Sequence, residues 1–448
     1  MNKNKYEIDM CNGSIMDKLI SFALPLMLSG ILQLMFNAVD IIVVGHFSSS
    51  QALAAVGSTT ALINVFVNLF IGVSLGTNVL AARCYAAGKD KEMSEVVHTS
   101  ILFALISGIV MAVIGVLLAK PALQLMQTPE DVIDQSALYM RIYFLGMPFF
   151  MLYNYGAAVL RAVGDTKRPL MYLILSGIVN TLLNLFLVIV FRLAVAGVAI
   201  STIIAQCISC ILILNCLRKS ESSYKLTFSG LSIKWVYLRQ IFQVGIPAGI
   251  QSMVINFSNA LLQSSVNSFG STAMAGYTAA NNILGFLYAS VNAVTQACMS
   301  FTSQNFGVGK YKRVDLVLRD CMILTVGVSL VLGGGAYLFG NEVLRIYTND
   351  SEVVRCGVEI LSITTVPYFL CGIMDLFPGS LRGMGYSTVP MILSVVGTVG
   401  MRIFWIYRVF PFYRSLYVLF ISYPASWTFT IIMQVICFIC VRKIVNRR

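Results

Sequence analysis

Long apolar runs follow one another down the whole chain, each about 20 residues long and parted by short polar stretches. A run of that length crosses the hydrocarbon core of a bilayer as a helix. Backbone groups in lipid must be satisfied within the segment, which excludes isolated strands. Twelve segments are predicted, at 17–46, 52–80, 93–119, 133–158, 170–191, 194–217, 236–266, 273–303, 315–340, 353–378, 388–408 and 416–441. Lys and Arg are unevenly shared between the stretches that part them. The side carrying the N-terminus holds 23, including Lys3, Lys5 and Lys18 at the start, Arg83, Lys89 and Lys91 after the second segment, and Arg442, Lys443, Arg447 and Arg448 at the end. The opposite side holds five: Lys120, Arg192, Arg345, Arg408 and Arg414. The positive-inside bias then predicts that both termini are cytoplasmic. The polar first 17 residues show no cleavable signal peptide, so the first span is expected to direct insertion.

The pattern also repeats. Leu160-Arg-Ala-Val-Gly-Asp-Thr-Lys-Arg-Pro169 lines up with Leu381-Arg-Gly-Met-Gly-Tyr-Ser-Thr-Val-Pro390, a shift of 221 residues. The same shift aligns Gly88-Lys89 with Gly309-Lys310, and Pro25 and Pro247 open the first and seventh segments at a shift of 222. The chain therefore reads as an N-terminal bundle over 1–217, a basic, Ser-rich cytoplasmic linker over 218–235, and a C-terminal bundle over 236–448. Six helices in each half give both halves the same orientation. The expected fold is an all-α polytopic membrane protein, twelve transmembrane helices in two six-helix parallel-repeat bundles. That is a transporter architecture, with substrate expected between the halves.

Composition agrees: 58% of the 448 residues are hydrophobic and only 11% charged, against about 25% charged in soluble domains. The net charge of +12 would suit nucleic acid if it were clustered. Spread over one set of loops, it sets topology and meets anionic lipid, so no nucleic-acid partner is expected. Most of the eleven cysteines, Cys207, Cys210, Cys437 and Cys440 among them, lie in apolar runs and read as small buried hydrophobes. His46 and His98 lack a second histidine one turn away, so local hydrogen bonds are expected and no metal site. Gly72-Val-Ser-Leu-Gly76 matches a hydrolase pattern but falls inside a span, where glycines serve close packing. There is no Walker A, H-E-x-x-H or aspartate-rich prenyl-transfer motif. The chain reads as no enzyme, with no catalytic residue and no bound cofactor.

The remaining chemistry is a few polar groups at membrane depth. Asp40 lies in the apolar run Leu24–Phe47, behind Pro25. A carboxylate at the centre of a membrane helix costs about 2.5–3.5 kcal/mol, and such groups usually serve ion or proton movement. The alternative is an interfacial Asp solvated by headgroups. Asn180 and Asn184 share one helix face and can offer amide oxygens, or can hydrogen-bond between helices. Asp375 sits between Pro367 and Pro378. It can attract a cationic cargo, form a second coupling site, or serve as the counter-charge that a buried Arg402 needs. Asn256, Asn259 and Gln263 mark one helix face, joined by Asn281, Asn282, Asn292 and Gln296 in the next segment. They can line a wet cavity or glue helices. Tyr153, Asn154 and Tyr155, with Met147 and Met151, can face the same cavity or simply pack.

These residues resemble the multidrug and toxic compound extrusion (MATE) family along essentially the whole chain. The carriers are Asp40-x-x-x-x-Gly45 closing a proline-led first helix, Ala54-Ala-Val-Gly57 opening the second, and the two Leu-Arg-x-x-Gly loops. Arg402-x-x-Trp405 and Ser422-Tyr-Pro424 follow, and the contexts of His98-Thr99 and Tyr153-Asn154 are similar to the DinF-like prokaryotic branch. The resemblance implies a secondary antiporter that exports organic cations and amphiphilic drugs in exchange for H+ or Na+ by alternating access. It implies a prokaryotic plasma-membrane location and action as a monomer. It places the coupling cation at Asp40, Asn180, Asn184 and Thr202, and cargo near Asp375, Asn154, Tyr153, Asn256, Asn259, Asn282 and Arg402. Relatives often carry a second Asp where this chain has Asn184, a departure that favours H+. The rival is a lipid-linked saccharide flippase of similar ancestry. Flippases tend to present several cationic residues to pyrophosphate, whereas the charges at depth here are mostly Asp40, Asp375 and Arg402.

Overall fold

A computed structural model describes residues 6–446. Lys3, Lys5, Arg447 and Arg448 of the charge count lie outside the described residues. Among those described, the chain is helical with no strand. The helices are α1 (Ile15–Phe47), α2 (Ser50–Ala86), α3 (Asp90–Leu125), α4 (Glu130–Leu145), α5 (Met147–Ala162), α6 (Lys167–Leu185) and α7 (Ala194–Lys219). The second half begins with α8 (Trp235–Asn267), α9 (Ser271–Gly307), α10 (Tyr311–Leu338), the short α11 (Gly340–Arg345), α12 (Ser351–Thr364) and α13 (Tyr368–Gly383). It closes with α14 (Thr388–Ser394), α15 (Met401–Phe404) and α16 (Leu416–Asn446).

All twelve predicted segments are helical. Among the described residues nine helices are long and apolar enough to cross a membrane, and two more spans are bent pairs: α4 with α5 at 45° and α12 with α13 at 51°. Each pair corresponds to one predicted segment, 133–158 or 353–378. Gly146 and Pro148 cause the first bend and Pro367 the second, because proline lacks the N–H and crowds the preceding turn. The twelfth, α8, runs through 33 residues but is diluted by Gln251, Asn256, Asn259 and Gln263, and so falls outside the apolar set.

Tertiary contacts divide the chain into two compact units. Unit 1 is Met1–Ile8 with Ile31–Gly245, and unit 2 is Asp9–Gly30 with Ile246–Arg448. One border falls inside α1, between Gly30 and Ile31, and another inside α8, between Gly245 and Ile246, each close to the helix's proline, Pro25 or Pro247. Packing repeats between units. In unit 1, α5 packs on α2, α3 and α7, and α4 on α2 and α7; in unit 2, α13 packs on α9, α10 and α16, and α12 on α9 and α16. The repeated Leu-Arg-x-x-Gly loops close α5 and α13 with the same bonds, Asp165 N–H to Leu160 C=O and Tyr386 N–H to Leu381 C=O. The glycine of each, Gly164 (φ +96°) and Gly385 (φ +85°), takes the left-handed conformation that L side chains resist.

The predicted linker belongs to unit 1 and is docked there. Tyr224 is fully buried and donates its hydroxyl to Glu7 Oε1 at 2.7 Å. His98 Nε2 accepts the Thr227 N–H at 3.1 Å, while Nδ1 faces Ser94 C=O at 2.7 Å. His98 thus makes the expected local bond and also a long-range one. Gly72 and Gly76 lie within α2, and Gly76 lets the Ile241 backbone approach so closely that a Cβ would collide with it. Among the described residues no group of His, Cys, Asp and Glu could hold a metal. All eleven cysteines are free; Cys210 and Cys437 are buried as read, but Cys440 is exposed.

Candidate cation site and interior polar groups

The face that α6 buries is small and polar: Ser176, Gly177, Asn180 and Asn184. Gly177 is where Phe36 of α1 seats its ring, and a Cβ there would overlap it. One turn further along α1 this docking delivers Asp40 to Asn184. Asn184, fully buried, donates from Nδ2 to Asp40 Oδ1 and to Asn180 Oδ1 at 3.4 Å. Asn180 donates to Thr202 Oγ1 at 3.4 Å, and Thr202 donates to the Val198 carbonyl at 2.9 Å. The structure therefore brings together Asp40, Asn180, Asn184 and Thr202 from three helices. It adds Ser201, which sequence reasoning missed: its buried hydroxyl donates to Asn184 Oδ1. Its adjacency to Thr202 on α7 was the only signal. Tyr139 and Tyr143 of α4 lie within electrostatic reach of Asp40, and Tyr143 hydrogen-bonds Gln206 of α7.

Every donor in this network is a side chain, and the network ends on two acceptors, the Asp40 carboxylate and the Val198 carbonyl. Asp40 Oδ2 takes no hydrogen bond from a described residue, so one carboxylate oxygen is held and the other is left for an exchangeable partner. Both amide oxygens are occupied by neighbouring donors. Asn184 turns an N–H, not its oxygen, toward Asp40.

Unit 2 is organised differently. Arg402, on α15, is 3% exposed and lies between two π-helical turns, Val395–Gly400 and Trp405–Val409. Its Nη1 donates to Asn259 Oδ1 at 2.7 Å and reaches Ser258 Oγ at 3.5 Å. Its guanidinium lies 4.3 Å over the Tyr423 ring. Of the roles open to Asp375, pairing with Arg402 is not observed: no ion pair joins them. Asp375 instead lies in the field of Arg382, two turns along α13, and of Tyr288 on α9. Arg382 donates to Gln251 Oε1 at 2.6 Å. Asn256 and Asn282 are exposed and are not brought to Arg402 or Asp375 by any hydrogen bond. Tyr153 and Asn154 belong to unit 1, where the Tyr153 hydroxyl donates to Pro169 C=O at 3.1 Å and the Asn154 amide to Phe150 C=O at 2.8 Å.

Two repeated bundles of bent, membrane-length helices with an acid held by buried amides define a polytopic membrane protein of transporter type. The MatE family model matches residues 25–186 and again 247–407, so it reproduces the internal repeat, and the chain belongs to that family. It is 28% identical over 423 residues to the probable multidrug resistance protein YoeA of Bacillus subtilis, covering 92% of this chain and 91% of that protein. It is 29% identical to the probable multidrug resistance protein YpnP of Bacillus subtilis, over 90% and 89% of the two chains. A crystal structure of a MATE protein in complex with MaL6 has the same fold, with a TM-score of 0.93, 19% identity and full coverage of both chains.

Proposed function

We propose that the chain is a drug and amphiphile exporter of the prokaryotic plasma membrane, driven by cation exchange at Asp40. The family match over both halves supports export, and the relatives carry multidrug resistance names. The half-held carboxylate of Asp40 is the observation that carries the mechanism. A proton taken up at Oδ2 removes the charge that Asn184 supports and loosens α1 from α6; release of the proton restores both. A bare Na+ needs several converging oxygens, and here Asn184 points an N–H rather than its oxygen at Asp40, so H+ is the coupling ion of this reading. Pro25 is the place for α1 to bend: it leaves the Ser21 carbonyl without its helical donor, and the Ser29 hydroxyl bonds back to Pro25 C=O at 2.8 Å. The exporter works as a monomer with both termini in the cytoplasm, as the Lys and Arg bias requires.

Ethidium efflux from inverted vesicles, under an imposed pH gradient and separately a Na+ gradient, tests this. Wild type should export under the pH gradient, and Asp40→Asn should fold yet lose gradient-driven export. Efflux that survives in Asp40→Asn, or that follows only Na+, would sink the coupling scheme.

A further inference from the structure

Unit 2 holds a buried cation whose binding edge is unused. One face of the Arg402 guanidinium is covered by Tyr423, whose own hydroxyl is tied to Tyr277. Its Nη1 end is fixed by Asn259 and Ser258. The Nε–H is buried with no acceptor, and Nη2 bonds to no described residue. Nε and Nη2 together form the edge that grips a carboxylate through two parallel hydrogen bonds. A buried Arg without an anion bears a large desolvation cost. Three acids of unit 2 are paired with other arginines: Asp315 with Arg442, Asp320 with Arg319 and Glu352 with Arg355. Asp375 and Arg402 both act on Cys371, so they share a neighbourhood without bonding. The flanking π turns are a further sign, because such turns gather at functional sites.

We propose that Arg402, with Asn259, Ser258 and Tyr423, forms a carboxylate subsite that receives the anionic end of a zwitterionic amphiphile. This rests on the export reading and narrows its cargo from simple organic cations to cations that also carry an acid. Tyr423 and Asn259 hold the guanidinium plane, so the subsite is formed before cargo arrives.

The test uses a rhodamine dye with a free carboxylate and the methyl ester of the same dye, with binding read by fluorescence anisotropy on the purified full chain. Wild type should prefer the acid over the ester by about tenfold, the usual worth of a charged hydrogen-bonded pair. Arg402→Gln should abolish that preference, and Arg402→Lys should keep only part of it. No preference in wild type, or an undiminished one in Arg402→Gln, overturns the inference. If Arg402→Gln fails to fold, the wild-type ratio together with Arg402→Lys decides. Binding of neither dye also overturns it, and ethidium efflux by the same preparation then reports separately on the export reading.

Discussion

Asn184 shows how much one side chain can settle. Its two N–H groups go to Asp40 and Asn180 and its oxygen to Ser201, so the orientation of the amide follows from its neighbours. Without Ser201 the amide could turn its oxygen toward the Asp40 carboxylate. Ser201→Ala should therefore cost about 1–3 kcal/mol for an orphaned buried acceptor, lowering the unfolding temperature in detergent. It should also weaken gradient-driven ethidium export more than it weakens ethidium binding. An equal loss of both would show that Ser201 only supports the fold. Arg402 makes the same point in unit 2: a buried charge is placed by an amide and an aromatic ring, and Asp375, which the chain offers as its counter-charge, lies in the field of Arg382 instead.

Among the elements, the meeting of α1 with α6 carries the site. Phe36 and Asp40 lie one turn apart on α1; Gly177, Asn180 and Asn184 lie on one face of α6. The ring needs the missing Cβ at Gly177. Gly177→Ala should overpack this seat, at about 1–3 kcal/mol, and separate Asp40 from Asn184. Export should fall, and Phe36→Leu in the same chain should restore most of it. A double variant no better than Gly177→Ala alone would mean that the ring does not position Asp40. The bends between α4 and α5 and between α12 and α13 belong to the same scale. They fall at matching places in the two halves, where Gly146 and Pro367 stand 221 residues apart.

The whole molecule is a doubled design, with like helices packed alike in each unit and like glycines ending like helices. Charge then orients it. Lys167, at the start of α6, and Arg345, at the end of α11, are both exposed and fall on opposite sides of the proposed topology. In an otherwise cysteine-free chain, Arg345→Cys should react with a membrane-impermeant thiol reagent applied to intact cells. Lys167→Cys should react only after the membrane is opened. The reverse pattern would invert the orientation.

The sequence by itself determined the helical class, the twelve segments, the duplication and the orientation bias. Hydropathy, charge placement and left-handed glycines are local properties, carried wherever the chain goes. It also marked Asp40, Asn180 and Asn184, because polar groups are costly among apolar ones, and the family resemblance added Thr202. What it could not contain was which polar groups meet. Whether Asn184 offers Asp40 an N–H or an oxygen depends on Ser201, a helix away. Whether Arg402 pairs with Asp375 depends on where α8 and α16 bring Asn259 and Tyr423. Those outcomes turn on distances of an ångström between segments far apart in the chain, and only tertiary packing sets them.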